Sequence, residues 1–378
     1  MRHSSPKAVA LALGLALTAL FTGCTPKTQP AGPAPEGEKS AVPVFMTAAL
    51  LEARAPAGLA LTRPKPEKPA DPVPEELPYV NPVTGLGMAT PPGRPVAVVI
   101  NNLKKATPQP GVSHYELMFE YPAEGEITRL VDVMYDYTGI GELGSVRSMR
   151  DYFMVGALPL DPIFIHYGHS PAAIHYIMDN GVTSLNGINA DVERVLYWRD
   201  KTRISTMGYE HSVLTSSDKM QAAIATFKLR TETEKAGPFF DFSGWQAGDL
   251  PGESVKVQFV NNMTGVFTFD GERYLRSQFG KEQIDGTTGE QLTCDTVIVL
   301  KTYCQNIPGD ESLRRRCDLV GSGSGYAFSG GSGRKIKWSK ASDGEFFVLT
   351  NPDGSTLTLS PGKIWICVMD TSRSVVNE

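Results

Sequence analysis

Charged and polar side chains crowd the stretch between residues 120 and 199, and their types are suited to binding an anion. The set comprises Glu120, Glu124, Arg129, Arg147, Ser148, Arg150, His166, His169, Ser170 and Arg199. Arg147 and Arg150 stand at the start of a predicted helix, where free backbone N–H groups and the helix dipole favour negative charge. Their guanidinium groups can hold a phosphate or a carboxylate through paired hydrogen bonds. The sequence therefore predicts a ligand-binding cleft lined by Glu124, Arg129, Arg147, Arg150, His166 and Ser170.

The same residues allow two other interpretations. The arginines can pair with Glu120, Glu124 and Asp136 and so lock strands to the helix, because structural ion pairs also gather charged residues. His166 can act as a general base together with Glu124, which would make the protein a hydrolase or transferase of envelope polymers. No nucleophile or substrate is evident, so the sequence favours a non-catalytic binding protein and keeps the enzyme as the alternative.

The segment from Gly168 to Ala172 has the spacing of a hydrolase nucleophile elbow around Ser170. That elbow needs a backbone N–H on the residue after the serine to stabilise the oxyanion, and Pro171 has none. Ser170 is instead the expected N-cap of a helix, with Pro171 at the first helical position.

Two further motifs give little support for a metal or a cofactor. His166, His169 and His175 could join Glu124 as ligands, but their spacing does not place them on one helical face. The Gly/Ser-rich tract at 321–335 lacks the Gly-Lys-Ser/Thr ending of a phosphate-binding loop, and we interpret it as hairpin turns. We therefore expect neither a metal site nor another cofactor.

The elements that must position these residues divide the chain into two parts. Buried strands are predicted at 94–102, 116–121, 128–137 and 163–167, and helices at 150–158, 171–179 and 217–228, the last capped by Ser216. Beyond Gly237, short strands alternate with Asp-Gly hairpin turns, at 255–260, 266–269, 273–277, 296–300, 335–338, 346–349, 356–359 and 364–368.

We therefore expect an α+β fold. A mixed α/β domain, built as a layered sandwich, is predicted at 78–235, followed by a β-rich domain at 236–370 and a short tail at 371–378. Whether the two domains share a core is left open by the sequence.

Several ordered blocks of sequence resemble the YerB-like lipoproteins, a family named as a domain of unknown function (3048). The blocks lie at 81–85, 94–102, 120–129, 145–150, 318–323 and 361–365. The resemblance covers nearly everything after residue 77 and implies a bacterial surface lipoprotein with an α/β part and a C-terminal β part, without implying an activity. This chain departs from the family pattern at Glu126, at His169 and at 208–212, which weakens the case for a role of His211.

The N-terminus has the features of a bacterial lipoprotein signal. A basic start and an apolar stretch too short to span a bilayer end at Cys24. We expect cleavage after residue 23 and a lipid on Cys24, which would anchor the protein to the outer face of the cytoplasmic membrane. The alternative is an ordinary secretory signal with an incidental cysteine. Residues 24–77 are rich in proline and are predicted to be an extended, disordered tether.

The net charge of the chain limits the classes of molecule that it can bind. Loss of Arg2 and Lys7 with the signal would leave 34 basic and 41 acidic residues, which argues against binding to nucleic acid. The expected partners are the membrane, through the lipid, and an envelope glycan, peptide or protein.

Four cysteines besides Cys24 lie in the last third of the chain, at Cys294, Cys304, Cys317 and Cys367. Outside the cytoplasm they can form one or two disulfides, with three possible pairings, or they can remain as four buried thiols.

Overall fold

The β-branched run predicted at 94–102 forms a strand, Val96–Asn102, that is buried along its whole length. Its residues alternate between two hydrophobic cores, with Val96 and Val98 in one core and Ala97 and Val99 in the other. Burial on both faces is typical of a strand inside a covered sheet. The computed structural model describes residues 77–235 and 237–378. The predicted signal, Cys24 and nearly all of the predicted tether lie outside the described residues.

The first part of the chain contributes ten strands and all five α-helices of the described residues. The strands are β1 (Tyr79–Val80), β2 (Gly87–Met88), β3 (Val96–Asn102), β4 (Leu117–Pro122), β5 (Thr128–Met134), β6 (Leu143–Gly144), β7 (Ile163–His166), β8 (Ser184–Asn186), β9 (Trp198–Arg199) and β10 (Val213–Thr215). The helices are α1 (Asp151–Ala157), α2 (Pro171–Asn180), α3 (Ala190–Leu196), α4 (Lys201–Thr206) and α5 (Ser217–Thr226).

The second part contributes strands only. They are β11 (Leu250–Pro251), β12 (Ser254–Val260), β13 (Met263–Phe269), β14 (Tyr274–Gln278), β15 (Lys281–Glu282), β16 (Thr293–Cys294), β17 (Thr296–Thr302), β18 (Cys304–Asn306), β19 (Arg315–Cys317), β20 (Gly321–Ser329), β21 (Ser332–Lys340), β22 (Val348–Thr350), β23 (Ile364–Asp370) and β24 (Val375–Asn377). The predicted α+β fold, rich in strands, is confirmed.

One eleven-stranded sheet takes strands from both parts. Its order is β11-β21-β20-β17-β23-β4-β5-β3-β7-β8, with β22 paired to β21. Strand β23, from late in the chain, lies between β17 and β4 and is parallel to both. The two parts therefore share a sheet and its cores, which the sequence alone had left open.

The central sheet is the middle of three layers. Helix α1 packs on one face through Tyr152, Phe153 and Met154. The other face is covered by α3 and α5 and by a second sheet of six strands, in which β14 pairs with β13 and β16. Among the described residues no helix is long and apolar enough to cross a membrane.

Three local predictions differ from the structure. The Gly/Ser-rich tract is mostly strand, since β20 and β21 pair along their whole length and only Gly330–Gly331 forms the turn. Full-length pairing outweighs the low strand propensity of glycine. Residues 356–359 do not form a strand, since Thr356 and Thr358 make only isolated bridges, to Thr350 and Asp241. Helices α3 and α4 were not predicted.

Two of the four cysteines form a disulfide and the other two remain thiols, so each predicted alternative holds for one pair. Cys304 and Cys317 form a disulfide across directly opposed positions of the β18–β19 hairpin. Cys294 and Cys367 are buried thiols. The disulfide closes a hairpin whose Arg315 donates a hydrogen bond to the carbonyl oxygen of Ala123, at 2.7 Å, in the first part of the chain.

Candidate functional site

The polar residues predicted to form a cleft gather where several strands of the central sheet end. Strands β3 and β7 are parallel, and both β3 and β4 are antiparallel to β5, so β3, β4 and β7 share one direction. Their carboxyl ends therefore lie at one edge of the sheet. Glu124 follows β4, Arg129 is the second residue of the antiparallel β5, and His166 ends β7. In open α/β sheets, ligands bind outside this edge.

Glu124 is held between two arginines. Its Oε1 accepts a hydrogen bond from Nη2 of Arg129 at 3.0 Å, and its Oε2 accepts one from Nη2 of Arg150 at 2.6 Å. Burial alone would raise the pKa of Glu124, but the two guanidinium groups hold it below its ordinary value. This part of the site matches the interpretation in which ion pairs fasten the strands to the start of α1.

Arg147 and Arg199 lie beside this group and are bound differently. Arg147 donates to the carbonyl oxygen of Glu210 at 2.6 Å, while its Nη2 is 3.8 Å from the Glu210 carboxylate. Arg199 stacks on the ring of Tyr209, 3.8 Å from its centroid, and lies 4.9 Å from that of Tyr167. The guanidinium group of Arg147 is thus oriented by a carbonyl and by one weak ionic contact with Glu210. That of Arg199 is oriented by two tyrosine rings and by the carbonyl oxygen of Tyr209.

These four arginines and two glutamates form what we call the arginine cluster: Glu124, Arg129, Arg147, Arg150, Arg199 and Glu210. The cluster has four guanidinium groups and two carboxylates, so its net charge is positive. Burial, followed by the charges of Arg147 and Arg150, lowers the pKa of Arg129 to about 10 despite its bond to Glu124. In all four arginines, Nε is buried without a hydrogen-bond partner among the described residues.

His166 does not join the cluster. One ring nitrogen is 2.7 Å from the carbonyl oxygen of Gly168 and the other is 2.6 Å from Oγ of Ser184. The ring is fully buried, and burial lowers its pKa to about 4, so it is neutral at neutral pH. Because both ring nitrogens are occupied, the structure does not form the hydrogen bond to Glu124 that the enzymatic alternative requires.

Ser170 caps α2, as predicted, by accepting a hydrogen bond from the backbone N–H of Ala173 at 3.1 Å. Pro171 occupies the first helical position. Ser170 and Arg150 also line a cavity of about 210 Å³, together with Arg315 of the disulfide-closed hairpin. Among the described residues, no three His, Cys, Asp or Glu side chains are placed to hold a metal ion.

A second and larger space lies at the opposite edge of the sheet, where the sequence had suggested no site. We call it the polar crevice; its volume is about 980 Å³. Glu116 and Lys363, which directly precede β4 and β23, line it together with Tyr135, Tyr137 and Gln221. These residues are dispersed along the chain and differ in type, so only their shared position beside strand ends would have indicated a site.

Comparison with known proteins places the chain in a family. Residues 83–230 match the model described as "Protein of unknown function (DUF3048) N-terminal domain", and residues 255–366 match the corresponding C-terminal domain. "Putative lipoprotein YerB" of Bacillus subtilis (strain 168) is 31% identical over 283 residues, which cover 73% of this chain and 81% of that protein. The chain belongs to the DUF3048 family.

A solved structure extends the family assignment to the fold. The crystal structure of YerB from Bacillus subtilis matches with a TM-score of 0.67 and 28% sequence identity, covering 79% of this chain and 99% of the YerB chain. The resemblance to YerB-like proteins is thus confirmed for this DUF3048 member. The relative is named as a lipoprotein, which agrees with the lipoprotein signal predicted here around Cys24. The family description specifies no activity.

Proposed function

We propose that this DUF3048 protein is a non-catalytic binding protein, anchored by a lipid on Cys24 to the outer face of the cytoplasmic membrane, that recognises an anionic group of the cell envelope. The observation that carries the proposal is the charge imbalance of the arginine cluster, in which four guanidinium groups face two carboxylates. Buried positive charge without a full complement of partners is costly, and a bound anion would offset that cost.

The chemistry of the cluster favours a phosphate or a carboxylate. Glu124 already occupies Arg129 and Arg150, so the donors left for a ligand belong mainly to Arg147 and Arg199. The Arg147 side chain is 23% exposed, and the neighbouring Tyr209 is 64% exposed. A guanidinium group offers a planar fork that matches two oxygens of such an anion. An envelope glycan or peptide that carries phosphate or carboxylate groups fits this site.

The catalytic alternative, with His166 and Glu124 as acid and base, has less support. A general base must come within hydrogen-bond reach of its partner or its substrate, and the buried His166 ring is held by Gly168 and Ser184. Its low pKa also makes it a weak base near neutral pH. Binding therefore remains the function that the geometry supports best.

The test is a thermal-shift titration of residues 78–378 with inorganic phosphate and a poly(glycerol phosphate) oligomer at low salt. We expect the parent to gain on the order of a few degrees at saturation, with the gain falling as salt rises. The Arg147→Gln/Arg199→Gln double variant should fold normally and lose the gain, because neither arginine holds Glu124.

Arg194→Gln is the matched control, since Arg194 is 74% exposed and, within the part of the chain that the structure describes, pairs only with Asp191 on the surface. It should keep the full response. The proposal fails if the parent shows no shift with either anion at low salt, or if the double variant responds as strongly as the control.

A further inference from the structure

The polar crevice is formed by both parts of the chain at the amino ends of β3, β4 and β23. Glu116 and Tyr135 come from the first part, and Thr293 and Lys363 from the second. Its volume of about 980 Å³ lies at the upper end of the range for small-molecule sites, which is roughly 300–1,000 Å³. The space is therefore large enough for an extended ligand.

Two charged residues of the crevice wall, Glu116 and Lys363, are already partnered. The Glu116 carboxylate accepts hydrogen bonds from the backbone N–H groups of Tyr135, at 2.6 Å, and Asp136, at 3.3 Å. Lys363 donates to the carbonyl oxygen of Ser113 at 2.6 Å and lies over the ring of Tyr115. These bonds leave no strong demand for an ionic ligand, in contrast to the arginine cluster.

Arg94 and Arg273, the other strong cations of the lining, follow the same pattern. Nε of Arg94 donates to the carbonyl oxygen of Asp161 at 2.8 Å, and its Nη2 is 3.3 Å from the Asp161 carboxylate. Arg273 pairs with Glu272. Asp136 and Glu290 also line the crevice, so its wall carries three lysine or arginine side chains and three carboxylates and is close to electrically balanced.

Besides the exposed carboxylates of Asp136 and Glu290, which can accept hydrogen bonds, the groups that remain for a ligand are neutral. Gln221 and Thr138 are exposed in the crevice, and the ring of Tyr137 is partly exposed. Tyr135 also lines the crevice and is only 5% exposed, yet its hydroxyl has no hydrogen-bond partner among residues 77–235 and 237–378. A buried hydroxyl without a partner is uncommon and costs free energy, so it points to a group that a ligand supplies.

We propose that the polar crevice binds an uncharged sugar chain. Sugars present many hydroxyl and amide groups, which neutral donors and acceptors such as Gln221 and the Tyr135 hydroxyl can satisfy. They also present apolar faces that can lie against a tyrosine ring such as that of Tyr137. The near balance of charge excludes a strong preference for polyanions, and the partnered Glu116 and Lys363 side chains shape the walls.

A peptide fits this space less well. An extended peptide usually gains affinity by pairing its backbone with an open sheet edge. The crevice lies at the ends of β3, β4 and β23, and each of these strands is paired on both sides within the sheet. A peptide here would have to bury its backbone polar groups without that pairing.

The test measures binding of N-acetylglucosamine oligomers to residues 78–378 by titration calorimetry, with Tyr135→Phe and Gln221→Ala as variants. We expect each variant to weaken binding about five- to tenfold, the usual effect of losing one hydrogen bond to a ligand. Tyr135→Phe should leave the melting temperature unchanged or raise it, because the hydroxyl has no partner in the protein. A purely structural role for Tyr135 would instead lower the melting temperature and leave the affinity unchanged.

Tyr303→Phe is the matched control, since Tyr303 is 49% exposed and does not line the crevice. It should bind as the parent does, and so should the Arg147→Gln/Arg199→Gln variant, which separates this site from the arginine cluster. The inference is overturned if the parent does not bind the oligomers at millimolar concentration, if it binds an uncharged tetrapeptide more tightly, or if both crevice variants bind like the control.

Discussion

The two edges of the central sheet carry similar residue types but differ in how their charges are balanced. At the carboxyl ends of β3, β4 and β7, the arginine cluster has more guanidinium groups than carboxylates. At the amino ends, backbone groups hold two charged residues of the polar crevice: two N–H groups bind Glu116 and a carbonyl binds Lys363. A charged residue thus indicates a ligand only when the fold leaves it without partners.

The first prediction concerns a buried ion pair between the second sheet and the central sheet, which lies between the two edges. Arg276 of β14 and Glu120 of β4 form an ion pair at 3.0 Å with both side chains 0% exposed, and Glu120 also accepts from Trp365 of β23. Arg276→Ala should destabilise the protein by about 3–5 kcal/mol, because it leaves a buried carboxylate without its partner.

Urea denaturation measures that loss, with the exposed Arg194→Ala as the control, for which less than about 0.5 kcal/mol is expected. The two parts of the chain should unfold together in a single transition. A loss below about 1 kcal/mol, or separate transitions for the two parts, would mean that the edges are independent and not two ends of one unit.

The second prediction concerns the acid sensitivity of the carboxyl edge. His166 has an ordinary pKa of 6.5 and a folded-state pKa of about 4, so the unfolded chain takes up its proton first as the pH falls. The stabilisation is complete above pH 6.5 and is lost towards pH 4, by about 3 kcal/mol.

Urea denaturation at pH 7 and at pH 4 measures this loss of stability. His166→Gln should lose less stability between those two values than the parent, whatever its stability at pH 7. His114→Gln, which alters an exposed residue of the polar crevice, should behave as the parent. Equal acid sensitivity in all three proteins would contradict the assignment of His166 as a buried neutral ring.

The third prediction, which has the smallest expected effect, compares how one glutamate at each edge changes the pH dependence of stability. The pKa of Glu124 is lowered by its arginines, so its stabilisation is present above 4.5 and is lost as the pH falls below that value. Burial raises the pKa of Glu116, so the folded state keeps its proton longer and stability is lost as the pH rises just above 4.5.

Glu124→Gln should therefore flatten the acid limb of the stability profile, whereas Glu116→Gln should steepen it. Each difference should be below about 1 kcal/mol, because both side chains are partly solvated. Denaturation between pH 3 and pH 6 measures both. Changes of the same sign in the two variants would show that the edges do not differ in their electrostatics.

Local sequence patterns predicted much of the secondary structure. Alternating and continuous β-branched runs located β3, β5 and β17, and Ser170 and Ser216 marked the starts of α2 and α5. Helices α3 and α4 have only seven and six residues, fewer than the window over which apolar periodicity indicates a helix, which explains why they were missed. The insertion of β23 between β17 and β4 has no local signal, because it depends on contacts between distant segments.

The candidate site was predicted in part. Residue types and spacing located Glu124, Arg129, Arg147 and Arg150, which the structure brings together. They did not show that Glu124 would occupy two of the arginines, or that His166 would be buried beside Ser184. Hydrogen-bond partners depend on side-chain directions within the fold, and the linear pattern of charges does not contain them.

The position of β23 also has a consequence for how the chain matures. Until that strand arrives, β4 and β17 each present an open row of backbone N–H and C=O groups, and an open row of this kind promotes association with other chains. Pairing between segments so distant in sequence is slow to form. The first part of the chain is therefore expected to stay incompletely folded and vulnerable to aggregation while the second part emerges, and a helper that shields sheet edges would speed its maturation.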